Sequence, residues 1–328
     1  MAPWLLWLLL VTGTGRGGAV PESPRAVPES PRAVPEPLRA APESPRAVPE
    51  PRAVSDAELR ELSEQLLAAD TNRAGPGQLE LNLQGSGRLF SRVSPALLAV
   101  PTVSGLRALL DNYEPRPGRA EAEPPAELRE QRRFLEAALA TPVLALLQRF
   151  VLDKGLYPSA EAFQADLHSM WFGLYSRSGG KALDSCGFEH VFVGEVKNNA
   201  VSGCHNWVQL HELESAGRLQ YLGCTWDGPR EWDRDRGHWG HGDIGGAAWT
   251  AFPDVLSLRF RWDGHLKSRG SLLVGSSPEF DLALFTLCFL ARPDRQCHVS
   301  LGGEAATIQT YSWEKQRLVA SAYPLTPQ

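Results

Sequence analysis

Several motifs that identify common enzyme classes are missing from this sequence of 328 residues. It has no CxxC pair, which argues against a structural zinc site built on thiolates, and no GxxxxGK[S/T] loop for nucleotide phosphates. GxSxG and HExxH, which mark common serine hydrolases and zinc proteases, do not occur either. A net positive charge is also missing. The formal charge is −5, so nucleic acid would have to bind at a local basic cleft rather than to the whole surface.

Long apolar runs are absent as well. The run Trp4–Val11 is too short to cross a bilayer, which takes about 20 apolar residues, and no later segment is apolar enough. Small residues follow this run as far as Ala19, which is the pattern of a secretory signal peptide. We therefore predict that residues 1–19 are a signal peptide and that the protein is secreted, with no membrane span.

Residues 20–54 repeat a seven-residue unit close to PESPRAV. Proline recurs in every unit, where it removes amide donors and fixes φ, so regular helix and sheet are both disfavoured. The segment is predicted to be a disordered, polyproline-II-like stalk. A spacer or docking role and an idle tail are both compatible with this composition. The folded domain is predicted to span residues 55–326.

The chain has five cysteines, so at least one of them stays unpaired. Cys288 and Cys297 are nine residues apart and flank a proline-containing turn, which favours a local disulfide between them. Cys186, Cys204 and Cys224 could supply a second bridge, whose connectivity stays open.

The pattern is mostly helical from residue 55 to about residue 180. A capping box at Ser55 and Glu58 begins the first helix, and a later helix is interrupted at Pro142. The second half consists of short segments rich in β-branched and aromatic residues, among them HVFVGEV and HNWVQLHELE, which we predict to be strands. One apolar helix interrupts them, with Ser277 as N-cap and Pro278 at its first position. This order predicts an α+β fold, with a helical N-terminal half followed by antiparallel β-sheets.

Chemically active side chains concentrate in CGFEHVFVGEVKNNAVSGCHNW, residues 186–207. This stretch carries His190, His205, Glu189 and Glu195 besides two cysteines. A metal site, a disulfide, two structural histidines and an acid–base pair are all compatible with it. Two imidazoles that face one cleft can divide a proton transfer near neutral pH, because one can remove a proton while the other donates one.

Cleavage of RNA by its own 2′-hydroxyl requires one group that removes a proton and another that donates one. One group removes the hydroxyl proton, another protonates the departing 5′-oxygen, and a cation stabilises the extra negative charge on the phosphate. Lys267, in RWDGHLKSRGS, is a candidate cation. Its distance along the chain from both histidines leaves its place relative to them open.

Separated blocks along the chain resemble the EndoU family of uridylate-specific endoribonucleases, which includes the secreted placental protein 11 type. In order, the blocks are LLAADTNRA, GFEHVFVGE, VSGCHNWVQ, WDGHLKSRGSLLVGSSPEFDLALFTLCF, IQTYSW and VASAYP. The resemblance covers the chain from Ser55 to Pro324. It implies an EndoU-like fold whose β-sheets form the catalytic half. It also implies cleavage of single-stranded RNA at uridines by 2′-hydroxyl attack, leaving 2′,3′-cyclic phosphate ends.

The resemblance implies that three residues are catalytic. His205 matches the general base, His190 the general acid and Lys267 the lysine, which follows His205 by 62 residues. The implied partner is single-stranded uridine-containing RNA, and DNA is not expected to be a substrate. We take the remaining histidines outside the region of residues 227–249 as structural or surface residues: His168, His211, His265 and His298.

Three further residues are implied to bind the substrate. Ser271 is similar to the serine of the family that contacts uracil, and a hydroxyl can donate to a uracil carbonyl or accept from its N3–H. Tyr323 matches the tyrosine that stacks on the nucleotide, since an aromatic face suits a splayed-out base. Ser321 stands where the family often has threonine.

The resemblance also implies a response to metal ions. Glu189 and Glu195 match acidic residues of the family that are associated with metal dependence. The expected cofactor is Mn²⁺, with Ca²⁺ as the alternative, while the two histidines and the lysine require no fixed catalytic metal. Ordinary surface or supporting carboxylates are the alternative interpretation of both glutamates.

A second candidate metal site is HWGHGD, where His238, His241 and Asp243 are close together as a divalent transition metal would need. A solvated insertion explains the same glycine- and tryptophan-rich composition, and its arginines and tryptophans could contact RNA. Two functions therefore stand beside the endoribonuclease. One is a metallohydrolase centred on HWGHGD, and the other is a non-catalytic RNA- or protein-binding module on an EndoU scaffold. We expect a monomer.

Overall fold

The computed structural model describes residues 52–83, 87–224 and 254–326. The first part of this region is helical, as its apolar periodicity predicts. Its helices are α1 (Asp56–Ala69), α2 (Pro95–Leu98), α3 (Pro101–Leu109), α4 (Pro125–Leu139), α5 (Pro142–Asp153) and α6 (Ala160–Phe172). A short antiparallel hairpin of β1 (Leu79–Leu81) and β2 (Phe90–Val93) lies between α1 and α2. The predicted signal peptide and most of the predicted stalk lie outside the described residues.

Side-chain caps fix the starts of several helices where the sequence predicts them. Ser55 Oγ accepts from the Glu58 N–H at 3.3 Å, and the Glu58 carboxylate accepts from the Ser55 N–H at 3.0 Å, which completes the capping box of α1. Thr141 caps α5 by accepting from the Leu144 N–H, and Pro142 occupies the first helical position. The predicted interruption at Pro142 therefore separates α4 from α5.

The second half of the chain is built mainly of strands. Its helical elements are a π-helical turn (Glu189–Val193), α7 (Trp207–Ser215) and α8 (Pro278–Ala291). Its strands are β3 (Glu195–Lys197), β4 (Ala200–Ser202), β5 (Leu219–Cys224), β6 (Asp254–Trp262), β7 (His265–Val274), β8 (Gln296–Leu301), β9 (Glu304–Ser312) and β10 (Val319–Leu325). This arrangement confirms the α+β fold.

The strands form two larger sheets. One has five strands in the order β3-β4-β7-β6-β5, and the other has three in the order β10-β9-β8. Neighbouring strands are antiparallel except for β4 and β7, which run parallel with Ala200 opposite Leu266. The five-stranded sheet is therefore mixed rather than purely antiparallel. This parallel pairing places β4 beside the first part of β7, next to Lys267.

Two segments predicted as strands are helical in part or throughout most of their length. HVFVGEV begins in the π-helical turn, in which the Gly194 N–H donates to the Glu189 carbonyl at 2.7 Å, and ends in β3. All five residues of the turn are buried, so their apolar pattern carries no strand-like alternation to an exposed face. HNWVQLHELE forms α7, because the Asn206 side chain accepts from the Val208 and Gln209 N–H groups and begins a helix there.

Helix α8 occupies the centre of the core. Its residues from Pro278 to Phe289 are all buried, which is expected of a helix that is apolar on every side. It contacts α1, α3, α4 and α5 of the helical half and β9 and β10 of the three-stranded sheet. The Ser277 side chain caps it by accepting from the Phe280 N–H, and Pro278 follows, both as predicted.

The predicted local disulfide is present. Cys288 near the end of α8 is bonded to Cys297 in β8, with their Cα atoms 5.5 Å apart. Cys186, Cys204 and Cys224 are free, so the second bridge considered from the sequence does not form. Cys186 and Cys204 are instead buried in the core beside the histidine-bearing segments.

The described residues contain no single helix that is both long and apolar enough to cross a membrane. Helices α4 and α5 meet the criteria of length and composition only when taken together, and the chain bends by 81° between them.

Candidate active site

The two histidines lie on segments that are hydrogen-bonded to each other through the main chain. His190 is in the π-helical turn, and His205 follows β4 at the entrance to α7. The Cys204 N–H donates to the His190 carbonyl at 2.9 Å, and the His205 N–H donates to the Val191 carbonyl at 2.7 Å. The separation of the two imidazoles is therefore set by backbone contacts between the turn and the loop.

Gly203 makes this close approach possible. Its φ is +65°, and a Cβ at this position would lie 1.8 Å from the His190 carbonyl oxygen. No other residue fits there without moving one of the two segments. The neighbouring Cys204 is also in the left-handed region, at φ +59°, so two consecutive residues turn the chain before His205.

Lys267 reaches the same place from β7. Its ammonium group donates to the Gly203 carbonyl at 2.7 Å, and the residue is buried. Its aliphatic part lies over Gly270, where an added Cβ would be 3.2 Å from the lysine Cε. Burial lowers the pKa of Lys267. A cation from β7 is thus attached to the loop that carries His205.

An open cleft of about 400 Å³ brings the expected residues together. All six residues predicted to be catalytic or substrate-binding line it: His190, His205, Lys267, Ser271, Ser321 and Tyr323. Ser321 and Tyr323 come from β10, where alternate residues face the cleft while Ala322 and Pro324, the residues that follow each of them, are buried.

His205 is held as a neutral imidazole with a defined tautomer. Its Nδ1 is 2.7 Å from the Ser271 carbonyl oxygen, which can only accept, so Nδ1 carries the proton and Nε2 is the basic nitrogen. Burial, followed by the charge of Lys267, places the pKa of His205 well below its usual value. The Tyr323 ring stacks on the imidazole with centroids 4.9 Å apart and an interplanar angle of 15°. These contacts suit His205 to act as a base.

His190 has a carboxylate partner. Its Nδ1 donates to Glu195 Oε2 at 2.6 Å, and the same oxygen is 3.1 Å from Arg177 Nε. Arg177 is anchored in turn by donating to the Ala320 carbonyl of β10 at 2.8 Å. Burial raises the pKa of Glu195, but the hydrogen bond from His190 and the charges of His190 and Arg177 outweigh it, so the net direction is downward. Glu195 is therefore ionised.

The proton affinities of the two histidines differ because His190 Nδ1 is bonded to a carboxylate and His205 Nδ1 to a carbonyl. Burial lowers the pKa of His190, but the hydrogen bond to Glu195 opposes that effect. His205 has only a neutral carbonyl as its Nδ1 partner, and its pKa is the one placed well below the usual value. Of the two residues, His190 is the better placed to carry a proton.

The Glu189 carboxyl group takes no part in the hydrogen bonds that join His190, Glu195 and Arg177. Its side chain is fully buried, and burial, followed by the nearby Glu195 and Glu121, raises its pKa to about 10. Within the described parts of the chain neither of its carboxyl oxygens has a hydrogen-bond partner. Glu189 is therefore neutral at physiological pH.

The metal-binding role that the resemblance implies for the two glutamates stays a prediction. A hard cation is held by several oxygen ligands, whereas the Glu189 side chain is fully buried and Glu195 Oε2 already serves His190 and Arg177. Nowhere in the described residues do three His, Cys, Asp or Glu side chains come together in a way that could hold an ion. The HWGHGD residues His238, His241 and Asp243 lie outside the described residues.

Sequence reasoning missed two contributors to the site. Arg177, which pairs with Glu195, lies in an unremarkable YSRSGG loop and carries no local signal. Gly203 supplies the carbonyl that holds Lys267, and its place between a strand and a histidine was the available hint. His265, taken as structural, lies at the start of β7 with its Nε2 3.3 Å from Arg116 Nη2.

Comparison with known proteins agrees with this geometry. A family model described as Endoribonuclease XendoU matches residues 58–324, a range that contains all six predicted site residues. Uridylate-specific endoribonuclease C of Xenopus laevis is 42% identical over 294 residues, which cover 83% of this chain and 90% of the relative. The uridylate-specific endoribonuclease of Homo sapiens is 38% identical over 291 residues, which cover 83% of this chain and 66% of the relative.

A solved structure of an endoribonuclease is also similar to this chain. The chain is similar to the one described as "The structure of XendoU: a splicing independent snoRNA processing endoribonuclease", with a TM-score of 0.68 and 33% sequence identity. The match covers 83% of this chain and 97% of that chain. With the fold, the ordered sequence blocks and the family model in agreement, the chain belongs to the XendoU family of endoribonucleases.

Proposed function

We propose that this endoribonuclease cleaves single-stranded RNA at uridines by attack of the neighbouring 2′-hydroxyl, leaving a 2′,3′-cyclic phosphate. One observation carries the proposal. A histidine with an unprotonated Nε2, a second histidine paired with a carboxylate, and a buried lysine all line one cleft. The curated relatives that match most of the chain are named uridylate-specific endoribonucleases, which supports uridine as the preferred base.

The reaction follows from the state of each side chain. His205 Nε2 removes the proton of the 2′-hydroxyl, and the 2′-oxygen forms a bond to phosphorus. The bond between phosphorus and the 5′-oxygen breaks, and His190 donates a proton to that oxygen from the ring nitrogen not bonded to Glu195. Lys267 stabilises the negative charge that grows on the phosphate oxygens during the transfer. Two protons exchanged with water return the histidines to their starting states.

Base recognition is proposed to come from Ser271 and from β10. The Ser271 hydroxyl lines the cleft beside the carbonyl that holds His205, so it can hydrogen-bond a uracil next to the reacting 2′-hydroxyl. Ser321 offers a second hydroxyl from the opposite sheet. Tyr323 uses one ring face on His205, so its nucleotide contacts are expected from the remaining face and its hydroxyl.

A short RNA with a single uridine tests the proposal. Cleavage should occur only at the uridine, and mass spectrometry of the product should show a 2′,3′-cyclic phosphate. His205→Ala and His190→Ala should each lower the single-turnover rate by about 10²- to 10⁴-fold, the usual contribution of a general acid or base. A substrate with 2′-deoxyuridine at that position is the matched control and should stay intact. RNA that binds the wild-type protein but is never cut would favour the non-catalytic binding module instead.

A stimulating metal ion is proposed to act outside the site formed by the histidines, Lys267 and Glu195. Mn²⁺, with Ca²⁺ as the alternative, would favour RNA binding or order a loop, and no step above passes through it. The cleavage rate with each ion and with a chelator tests this. An unchanged KM for RNA with a metal-dependent kcat would contradict it.

We also propose that the protein is secreted and monomeric. The leader-like residues 1–19 and the disulfide between Cys288 and Cys297 support an oxidising, extracellular location. Recovery of the mature chain from culture medium and sequencing of its N-terminus would test secretion. Light scattering on the purified protein would test the monomer.

A further inference from the structure

A second cleft lies beside the catalytic one. Its volume is about 430 Å³, and the polar groups that line it are basic or neutral: Arg116, Ser178, Lys197, Asn198, Asn199 and His265. Pro117 and Val196 complete the lining, so no carboxylate is among the lining residues. On a chain with a formal charge of −5, this is a local basic surface of the kind that nucleic acid binding requires.

The strand register explains where this second cleft forms. Lys197 pairs with Ala200 across the β3–β4 hairpin, so Asn198 and Asn199 form its two-residue turn. Both asparagines have positive φ, at +52° and +63°, as a tight hairpin turn of this kind requires. Because Ala200 lies opposite Leu266 in the parallel pair, the turn is placed beside His265, the first residue of β7.

The two cations of the second cleft are held in place without being neutralised. Lys197 Nζ donates to the Arg177 carbonyl at 2.8 Å, which uses one of its three donors. Arg116 Nη2 lies 3.3 Å from His265 Nε2, a contact that involves no carboxylate. Both cations therefore keep their positive charge and further donors for an anion.

The carboxylates around the second cleft are engaged elsewhere. Asp184 accepts from the main-chain N–H groups of Gly118 and Arg177 at 2.7 and 2.6 Å. Glu114 lies 3.2 Å from Arg119, and the buried Glu195 is bonded to His190. None of these carboxylates lines the second cleft, where Arg116 and Lys197 are the cations.

The two clefts follow the same pair of strands. Strand β4 runs from the hairpin turn, which lines the second cleft, to Ser202 and Gly203, which line the catalytic cleft. Strand β7 leads from His265 to Lys267, a distance of about 7 Å for two residues of extended chain. That is close to the separation of neighbouring phosphates in an extended RNA strand. An RNA phosphate at Lys267 would therefore place an adjoining phosphate near Arg116 and Lys197.

We propose that the second cleft binds a backbone phosphate of the RNA that flanks the scissile phosphate. This inference rests on the proposed function, because it assumes an RNA strand in the catalytic cleft. Guanidinium and ammonium groups bind phosphate oxygens through charge-assisted hydrogen bonds, and the asparagine amides add neutral donors. The contact carries no base specificity, since it reads only the backbone. It positions RNA that extends beyond the uridine.

Two substrates separate this contact from the chemistry. The dinucleotide UpA has only the scissile phosphate, whereas a longer single-uridine RNA also has flanking phosphates. Arg116→Gln and Lys197→Gln should each lower kcat/KM for the longer RNA about 3- to 10-fold through KM, and make its dependence on log salt shallower by about 0.7. Cleavage of UpA should change less than about twofold, because no flanking phosphate is present to be lost. Arg60→Gln, on the exposed face of α1, removes a charge outside both clefts and is the matched control.

RNA in which one phosphate is replaced by a neutral linkage identifies which phosphate the second cleft binds. A longer RNA with one methylphosphonate at each flanking position in turn should show one position at which wild-type cleavage falls to the level of Arg116→Gln. At that position the variant should lose no further activity, since both changes remove the same contact. Equal losses in wild type and variant at every position would overturn the inference. Failure of the wild type to cleave UpA and the longer RNA alike would instead overturn the proposed function.

Discussion

Replacing Glu195 by glutamine tests whether this carboxylate sets the proton affinity of His190. The wild-type carboxylate accepts from His190 Nδ1 at 2.6 Å, and both side chains are buried. Glutamine keeps the size and one acceptor oxygen but removes the negative charge. The hydrogen bond to the charged Glu195 raises the pKa of His190, so a bond to a neutral amide in its place should lower that pKa.

The size of the effect follows from the difference between the two bonds. A hydrogen bond to a charged group contributes about 1.5–3 kcal/mol and a neutral one about 0.5–1.5 kcal/mol, and each 1.36 kcal/mol corresponds to one pH unit. The pKa of His190 should therefore fall by about 1 pH unit in Glu195→Gln. Activity requires protonated His190 and is lost as the pH rises through its pKa. The alkaline limb of the profile should then move to lower pH by the same amount.

The assay is the pH dependence of kcat/KM on a single-uridine RNA. The acidic limb reports His205, which must be neutral to act as a base, and Glu195→Gln should leave it in place because His205 bonds to the Ser271 carbonyl. Lys267→Arg, which keeps the cation but removes the titration of lysine, shows which group the alkaline limb belongs to.

A uniform loss of activity with both limbs unmoved would refute the reasoning. Glu195 would then act on the fold rather than on the proton of His190. The same conclusion would follow if Glu195→Gln kept wild-type kcat/KM at every pH.

Three further predictions concern the scaffold. Gly203→Ala should abolish cleavage and lower the melting temperature, because its Cβ would lie 1.8 Å from the His190 carbonyl oxygen; wild-type rates with unchanged melting would contradict this. Burial raises the pKa of Asp70 from 3.8 to about 6, so the folded state loses about 3 kcal/mol as the pH rises through that range. Asp70→Asn should therefore stabilise the protein against urea at pH 7.5 but not at pH 3.5. A gain over the wild type of the same size at both pH values would count against the pKa shift. Removing the disulfide with Cys288→Ser and Cys297→Ser together should destabilise the protein by about 2–4 kcal/mol, measured by chemical denaturation, while an unchanged midpoint would show that the bridge is dispensable.

The sequence predicted the parts of the fold that depend on local signals. Ser55 and Ser277 begin helices because a side-chain oxygen followed by a free N–H is a local arrangement. The π-helical turn and α7 were predicted as strands because both are buried and rich in β-branched or aromatic residues, where periodicity separates helix from strand poorly.

The candidate site likewise has parts that local sequence signals predicted and parts that they did not. His190, His205 and Lys267 were identified from blocks that resemble a family, whereas their convergence depends on the parallel pairing of β4 with β7, which no local pattern encodes. Arg177 could not be found because its role is defined by a buried carboxylate that is eighteen residues away in the chain. The metal role expected for Glu189 stays a prediction, and the burial of its side chain could not be read from the sequence because it is a property of the packed turn.

The catalytic cleft draws on two sheets that share no strand. His190, His205 and Lys267 belong to the five-stranded sheet and the turn and loop beside it, while Ser321 belongs to β10 of the other sheet. Arg177 donates to the Ala320 carbonyl of β10, a main-chain contact that is independent of side-chain identity. Under the proposed base contact of Ser321, substitutions at position 321 are expected to alter base preference while His190 and His205 keep their surroundings. Tyr323 does not share that freedom, because its ring is also the packing surface of His205.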